Sequence, residues 1–205
     1  MPRALLFDLD NTLLLEDEVT FRAIRAACER ARGRADAGKL FAGVLRIADA
    51  LWRAAPTYAY ADAMGMWWGE GLWGDFQGES EGLRAVREFA PAFRQRVWRD
   101  ALTACGVDDA ALAAELVDAY RSARRAGELV DPQATAVLDD VGREHVCALV
   151  TNGAPDIQRE KLGRTTLARY FSAIVISAEV GFGKPDPRIF QIALDAIGAT
   201  AAATV

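Results

Sequence analysis

The sequence predicts an α/β fold, in which a parallel sheet is interrupted by a helical insertion. Two observations carry that expectation. Short apolar runs at 4–9 (ALLFDL), 146–151 (VCALVT) and 173–177 (AIVIS) each lead into polar or Gly/Pro-containing sequence and then a helical pattern, the alternation that builds parallel sheets. From about 16 to about 130 the spacing is helical instead, with little strand alternation.

The first run lacks the polar alternation of a half-exposed strand and reads as buried. In the insertion, helical spacing appears at Phe41, Val44, Ala48 and Leu51, at Phe89, Phe93 and Val97, and at Leu112, Leu116 and Tyr120. All five tryptophans (Trp52, Trp67, Trp68, Trp73 and Trp98) lie there, and a glycine-rich stretch from Gly65 to Gly82 divides the block. The aromatic side chains read mainly as buried area. The second run is followed by Asn152-Gly153-Ala154-Pro155 and a helix near 156–168, the third by Gly181 to Pro187 and a helix near 187–197. The expected organisation is a discontinuous core of 1–15 and 130–205 with an insertion at 16–129.

Composition narrows the functional classes. Hydrophobic residues make up 52% and charged residues 26% of the 205, the balance of a folded globular protein. A formal net charge of -5 gives no global field for a nucleic-acid polymer or an anionic membrane. No apolar stretch reaches the roughly 18 residues of a membrane span. Cys28, Cys105 and Cys147 are scattered and form no CxxC, and acidic residues interrupt the apolar start at once; a reducing, cytoplasmic setting is expected. His145 is the only histidine, which leaves a histidine-based triad or multi-histidine metal site little support.

The chemistry-bearing residues fall at the ends of the apolar runs. Asp8 and Asp10 close the first, at the edge where open α/β sheets bind ligands. Two close carboxylates repel, and a divalent cation with a taste for oxygen ligands, such as Mg²⁺, is the obvious compensation. Strand alternation points both side chains to one side unless the turn begins first. Thr151 and Asn152 close the second run with hydrogen-bonding groups. Lys184, one of only three lysines with Lys39 and Lys161, sits in the stiff loop Gly183-Lys184-Pro185-Asp186-Pro187. Taken singly, each is equally a helix cap, an ordinary turn or a solvated loop residue.

In combination and in this order, FDLDNTL, VTNG and GKPDP resemble the first three motifs of the haloacid dehalogenase (HAD) superfamily. The segment from Gln158 to Ile192 resembles its phosphatase branch, which includes pyrimidine nucleotidases and N-acylneuraminate phosphatases. The resemblance spans the chain. It implies a Rossmann-like core with a type 1 helical cap that closes over the active site and governs specificity. It further implies Mg²⁺-dependent hydrolysis of a small phosphorylated metabolite. Asp8 would be the nucleophile that forms a phosphoaspartate, and Asp10 the general acid and then the base. Thr151 would donate its hydroxyl to the phosphoryl group, helped by main-chain N–H groups near Asn152, while Lys184 neutralises charge. The ion would be held by Asp8 and the main-chain carbonyl of Asp10.

The family's 2-haloacid dehalogenases typically lack an acid at the position of Asp10, which disfavours that alternative. The family's acidic fourth motif has no counterpart here. Ala201–Val205 reads as the opening of its strand, and no acidic residue follows Asp195. Two expectations rest on this. One is impaired hydrolysis, with a catalytically silent binding protein of the same fold as a further alternative. The other is an open edge on strand 4–9 that invites homodimerisation, swapping or aggregation.

Overall fold

The computed structural model describes residues 4–205. The chain divides into two compact units: one holds the chain up to Glu16, Ala63–Met66 and Glu128–Val205, the other Asp17–Asp62 and Trp67–Gly127. In chain order the elements are β1 (Ala4–Phe7), α1 (Glu16–Arg30), α2 (Ala37–Arg53), α3 (Tyr58–Ala63), α4 (Trp68–Gly71), α5 (Glu81–Ala104), α6 (Ala110–Arg124), α7 (Ala134–Val141), β2 (Val146–Thr151), α8 (Pro155–Gly163), β3 (Ala173–Ile176), α9 (Ser177–Val180) and α10 (Pro187–Ile197).

In the first unit the three strands form a parallel sheet in the order β1-β2-β3. Central β2 is buried from Cys147 to Thr151 because both its faces are covered. Leu149 joins a cluster with Leu9, Leu13, Leu14, Leu138, Leu162 and Leu167. Its neighbour Val150 joins Val175, Ile189 and Ala193 of α10 on the other face. Strand alternation on a two-sided sheet thus explains the unbroken apolar run.

The strand ends differ from expectation. β1 stops at Phe7, not at residue 9, because Leu9 turns inward and its carbonyl accepts from the N–H groups of Leu13 and Leu14, both at 2.9 Å. Asn11 makes this turn with a φ of 57°, a left-handed conformation that Asn tolerates better than most residues. The segment at 201–205 is not a strand throughout. Ala201–Ala203 forms a 3₁₀ turn, and only Thr204 and Val205 lie beside β1, in parallel. Val205 donates to Ala4 O at 3.1 Å and accepts from Leu6 N at 3.0 Å, so the first part of the edge expected to be open is paired within the chain.

The second unit is helical. Asp36, Ser80 and Asp109 cap α2, α5 and α6 by accepting from main-chain N–H groups three residues on, as helix N-caps do. α2 buries Leu40, Val44, Ala48 and Trp52, so its apolar stripe lies one residue to either side of the expected Phe41 and Leu51. Phe93 and Val97 of α5 and Leu112, Leu116 and Tyr120 of α6 are buried as their spacing predicts. Trp52, Trp73 and Trp98 are core residues. None of the helices is long and apolar enough to cross a membrane, among the described residues.

Candidate active site

The candidate site is built at the carboxyl ends of β1 and β2 within the first unit. Asp8 follows β1 directly. Its Oδ1 accepts from Leu9 N at 2.8 Å and from Lys184 Nζ at 2.5 Å. Lys184 is fixed at both ends. Its Nζ also donates to Val150 O at 2.8 Å. Its main chain is clamped by the Asn152 side chain, whose Oδ1 accepts from Lys184 N at 2.7 Å and whose Nδ2 donates to Lys184 O at 3.0 Å. The loop after β2 thereby sets the reach of the lysine.

Asp10 goes elsewhere. Because the turn begins at Asp8, its carboxylate does not share the surroundings of Asp8. Both its oxygens accept from Lys161 Nζ at 3.0 Å, and Oδ2 also accepts from Gln158 Nε2 at 2.8 Å. Lys161 is fully buried and also pairs with buried Glu16 at 3.2 Å. Removal from water pushes the Asp10 carboxyl above the usual carboxylate range; Lys161 opposes this and Glu16 adds to it. The repulsion anticipated between the two aspartates is therefore met by two separate lysines, Lys184 for Asp8 and Lys161 for Asp10.

Thr151 is buried with its hydroxyl accepting from Gln158 Nε2 at 2.7 Å and donating to Asn152 O at 3.3 Å. The Gly153 N–H, a nearby candidate for phosphate contact, is already taken: it donates to Met64 O at 3.0 Å and to Ser177 Oγ at 2.9 Å. Ser177 Oγ donates to the same Met64 carbonyl at 2.7 Å. Ala63–Met66 fits tightly here. A Cβ on Gly65, whose φ is +67°, would fall 2.5 Å from Asn152 Nδ2, and one on Gly183 would collide with Ala63 O.

Asp8, Asp10, Thr151, Asn152 and Lys184, the candidates expected from the sequence, stand at one sheet edge. Sequence reasoning missed Glu16, Gln158, Lys161, Ser177 and the 63–66 segment. The available signal was the i, i+3 spacing of Gln158 and Lys161, which places both on one face of α8, together with the scarcity of lysine.

Oxygen donors suited to Mg²⁺ are present in the Asp8 carboxylate and the main-chain carbonyl of Asp10. The Asp10 side chain is committed to Lys161 and Gln158. Among the described residues, no group of three or more His, Cys, Asp or Glu side chains gathers to hold a metal ion.

The model of the haloacid dehalogenase-like hydrolase family matches residues 2–205. A phosphoserine phosphatase from Thermus thermophilus is 43% identical over 197 residues, which cover 96% of this chain and 76% of that protein. An N-acylneuraminate-9-phosphatase from Rattus norvegicus is 33% identical over 103 residues, covering 49% of this chain and 42% of that one. Among solved structures, the HAD-hydrolase YfnB from Bacillus subtilis, bound to magnesium, superposes with a TM-score of 0.62 at 22% identity, covering 98% of this chain and 77% of that one. With its motifs standing at the strand ends and its whole length matched, the chain belongs to the haloacid dehalogenase-like hydrolases, in their phosphatase branch.

Proposed function

We propose that the chain is a Mg²⁺-dependent phosphomonoesterase acting on a small phosphorylated metabolite through a phosphoaspartate on Asp8. The observation that carries this reading is the pairing of Asp8 with Lys184, a carboxylate and a fixed ammonium at the carboxyl end of a parallel strand. O-phosphoserine is the first candidate substrate, because the Thermus thermophilus relative is a phosphoserine phosphatase.

Asp8 attacks phosphorus, and the ester oxygen leaves; water then cleaves the acyl phosphate and regenerates the carboxylate. Lys184 offsets charge on Asp8 and on the transferring oxygens. Asp10 protonates the leaving oxygen and later takes the proton of the water. Its raised proton affinity suits the acid role, since it keeps the carboxyl protonated at higher pH than an ordinary aspartate. Gln158 occupies a lone pair of Thr151, so the hydroxyl hydrogen needs only to leave the weak 3.3 Å contact with Asn152 O to reach a phosphoryl oxygen. Mg²⁺ would be held by the Asp8 carboxylate and the Asp10 carbonyl, and it would supply charge compensation for the phosphate. The presence of Asp10 favours phosphate chemistry over dehalogenation, because a halide leaves without a proton.

The test is binding of beryllofluoride, a mimic of phosphoaspartate. Saturable, Mg²⁺-dependent binding that disappears in Asp8→Asn is expected. Binding that persists in Asp8→Asn would overturn the assignment of the nucleophile.

A further inference from the structure

We propose that Lys161 and Gln158 form a positioning device on α8 that sets where the acid–base carboxyl of Asp10 and the hydroxyl of Thr151 stand. The inference deepens the phosphatase reading and rests on it. Gln158 is fully buried, and its Nε2 stands 2.8 Å from Asp10 Oδ2, 2.7 Å from Thr151 Oγ1 and 2.6 Å from Asn152 O. One amide nitrogen therefore ties the turn after β1 to the loop after β2. Lys161, three residues on and on the same helix face, holds both oxygens of Asp10 and braces itself on Glu16.

Stability alone gives a poor account of this arrangement. The neighbouring buried positions of α8, Ile157 and Leu162, are apolar, as a helix packed on a sheet requires. A fully buried lysine loses its hydration, and well-packed apolar side chains in place of a buried ion pair often serve stability as well or better. Such departures from local rules concentrate at functional sites. Here the departure faces the carboxyl that must meet the leaving oxygen. Proton transfer is sensitive to that placement, because donor and acceptor must come within hydrogen-bond reach.

The two roles separate by leaving group. Release of p-nitrophenolate from p-nitrophenyl phosphate needs little protonation, whereas release of the serine alkoxide from O-phosphoserine depends on it. Single-turnover release of each leaving group is measured in the full chain for wild type, Gln158→Met, Lys161→Arg and Lys161→Met. The double variant Glu16→Gln/Lys161→Met also removes the Glu16 carboxylate that faces Lys161, and folding of each is checked by thermal melting. In the lysine-to-methionine variants, release of serine is expected to fall roughly 100-fold and release of p-nitrophenolate less than about threefold, whereas Gln158→Met, which also loosens Thr151 at the phosphoryl group, should slow release from both esters, and that of serine by about tenfold more. Substrate affinity should be little changed, and Lys161→Arg, whose guanidinium does not fill the place of the buried ammonium, should recover only part of the loss. An equal fall for both esters in the lysine-to-methionine variants, or no fall in folded variants, overturns the inference. Asp8→Asn is run in parallel: transfer surviving in that variant overturns the phosphatase reading itself, so the two failures are distinct.

Discussion

Lys184 donates to Asp8 Oδ1 at 2.5 Å while its own main chain is gripped at two points by Asn152. The ammonium is thus delivered to the carboxylate by a loop with little freedom. Lys184→Met is expected to slow phosphoryl transfer to Asp8 by about 100-fold or more, the range seen when a preorganised charge-stabilising donor is lost. Lys184→Arg should restore little, because a planar guanidinium does not fill the place of a compact point charge. Stopped-flow release of p-nitrophenolate checks both.

Gly65 and Gly183 permit the close approach of Ala63–Met66 to the loops after β2 and α9. Gly65→Ala meets both a left-handed φ of +67° and the Asn152 side chain, and Gly183→Ala meets the Ala63 carbonyl. Each is expected to destabilise the fold by about 1–3 kcal/mol, the usual range for overpacking. Gly65→Ala should in addition weaken the Asn152 clamp on Lys184 and so reduce transfer. Urea unfolding alongside single-turnover assays measures the two effects. Gly163→Ala is the control, since a Cβ there meets nothing within 4 Å.

In the helical unit, buried Arg94 of α5 donates from Nε to Gly71 O at 2.9 Å and from a terminal nitrogen to Gly74 O. Burial lowers its pKa to about 10, so it remains charged at neutral pH. Arg94→Leu removes the donors of both carbonyls, and a loss of about 2–4 kcal/mol is expected from leaving such groups without partners. Arg94→Lys should rescue only part, because one ammonium does not reproduce the fork. The midpoint of urea unfolding tests this.

The place of the candidate site was legible where the backbone itself announces it. Asp8, Asp10, Thr151 and Lys184 stand at or just after the ends of apolar runs, and a parallel sheet gathers such ends whatever the details between them. The partners on α8 were not legible in the same way. Gln158 and Lys161 carry the residue types of an exposed helix face, and only tertiary packing of α8 against the turn after β1 buries them. The separation of the two aspartates was hidden for a related reason. It depends on β1 ending at Phe7, and strand boundaries follow from hydrogen bonds such as those to Leu9 O. At the two ends of the α2 stripe Leu40 and Trp52 are buried in place of Phe41 and Leu51, while Val44 and Ala48 are buried as expected, a choice that spacing leaves open.

The thiols offer a check on packing that is independent of activity. Burial pushes Cys28 up to about 12, so it stays a protonated, unreactive thiol from neutral pH to well above pH 9. Cys105 is partly exposed. Alkylation of the native protein at pH 8 should therefore modify Cys105 well before Cys28, and denaturant should abolish the difference. Peptide mapping after timed quenching reads the order directly.

The proposed mechanism depends most on Asp8 being phosphorylated. The direct measurement is to react the protein with O-phosphoserine or p-nitrophenyl phosphate and Mg²⁺, quench, and reduce with borohydride, which converts an aspartyl phosphate to homoserine. Mass spectrometry of the N-terminal peptide should then find homoserine at position 8 in wild type and not in Asp8→Asn. Reduction at Asp10 or at another carboxylate, or hydrolysis of substrate with residue 8 unmodified, would contradict the proposed mechanism.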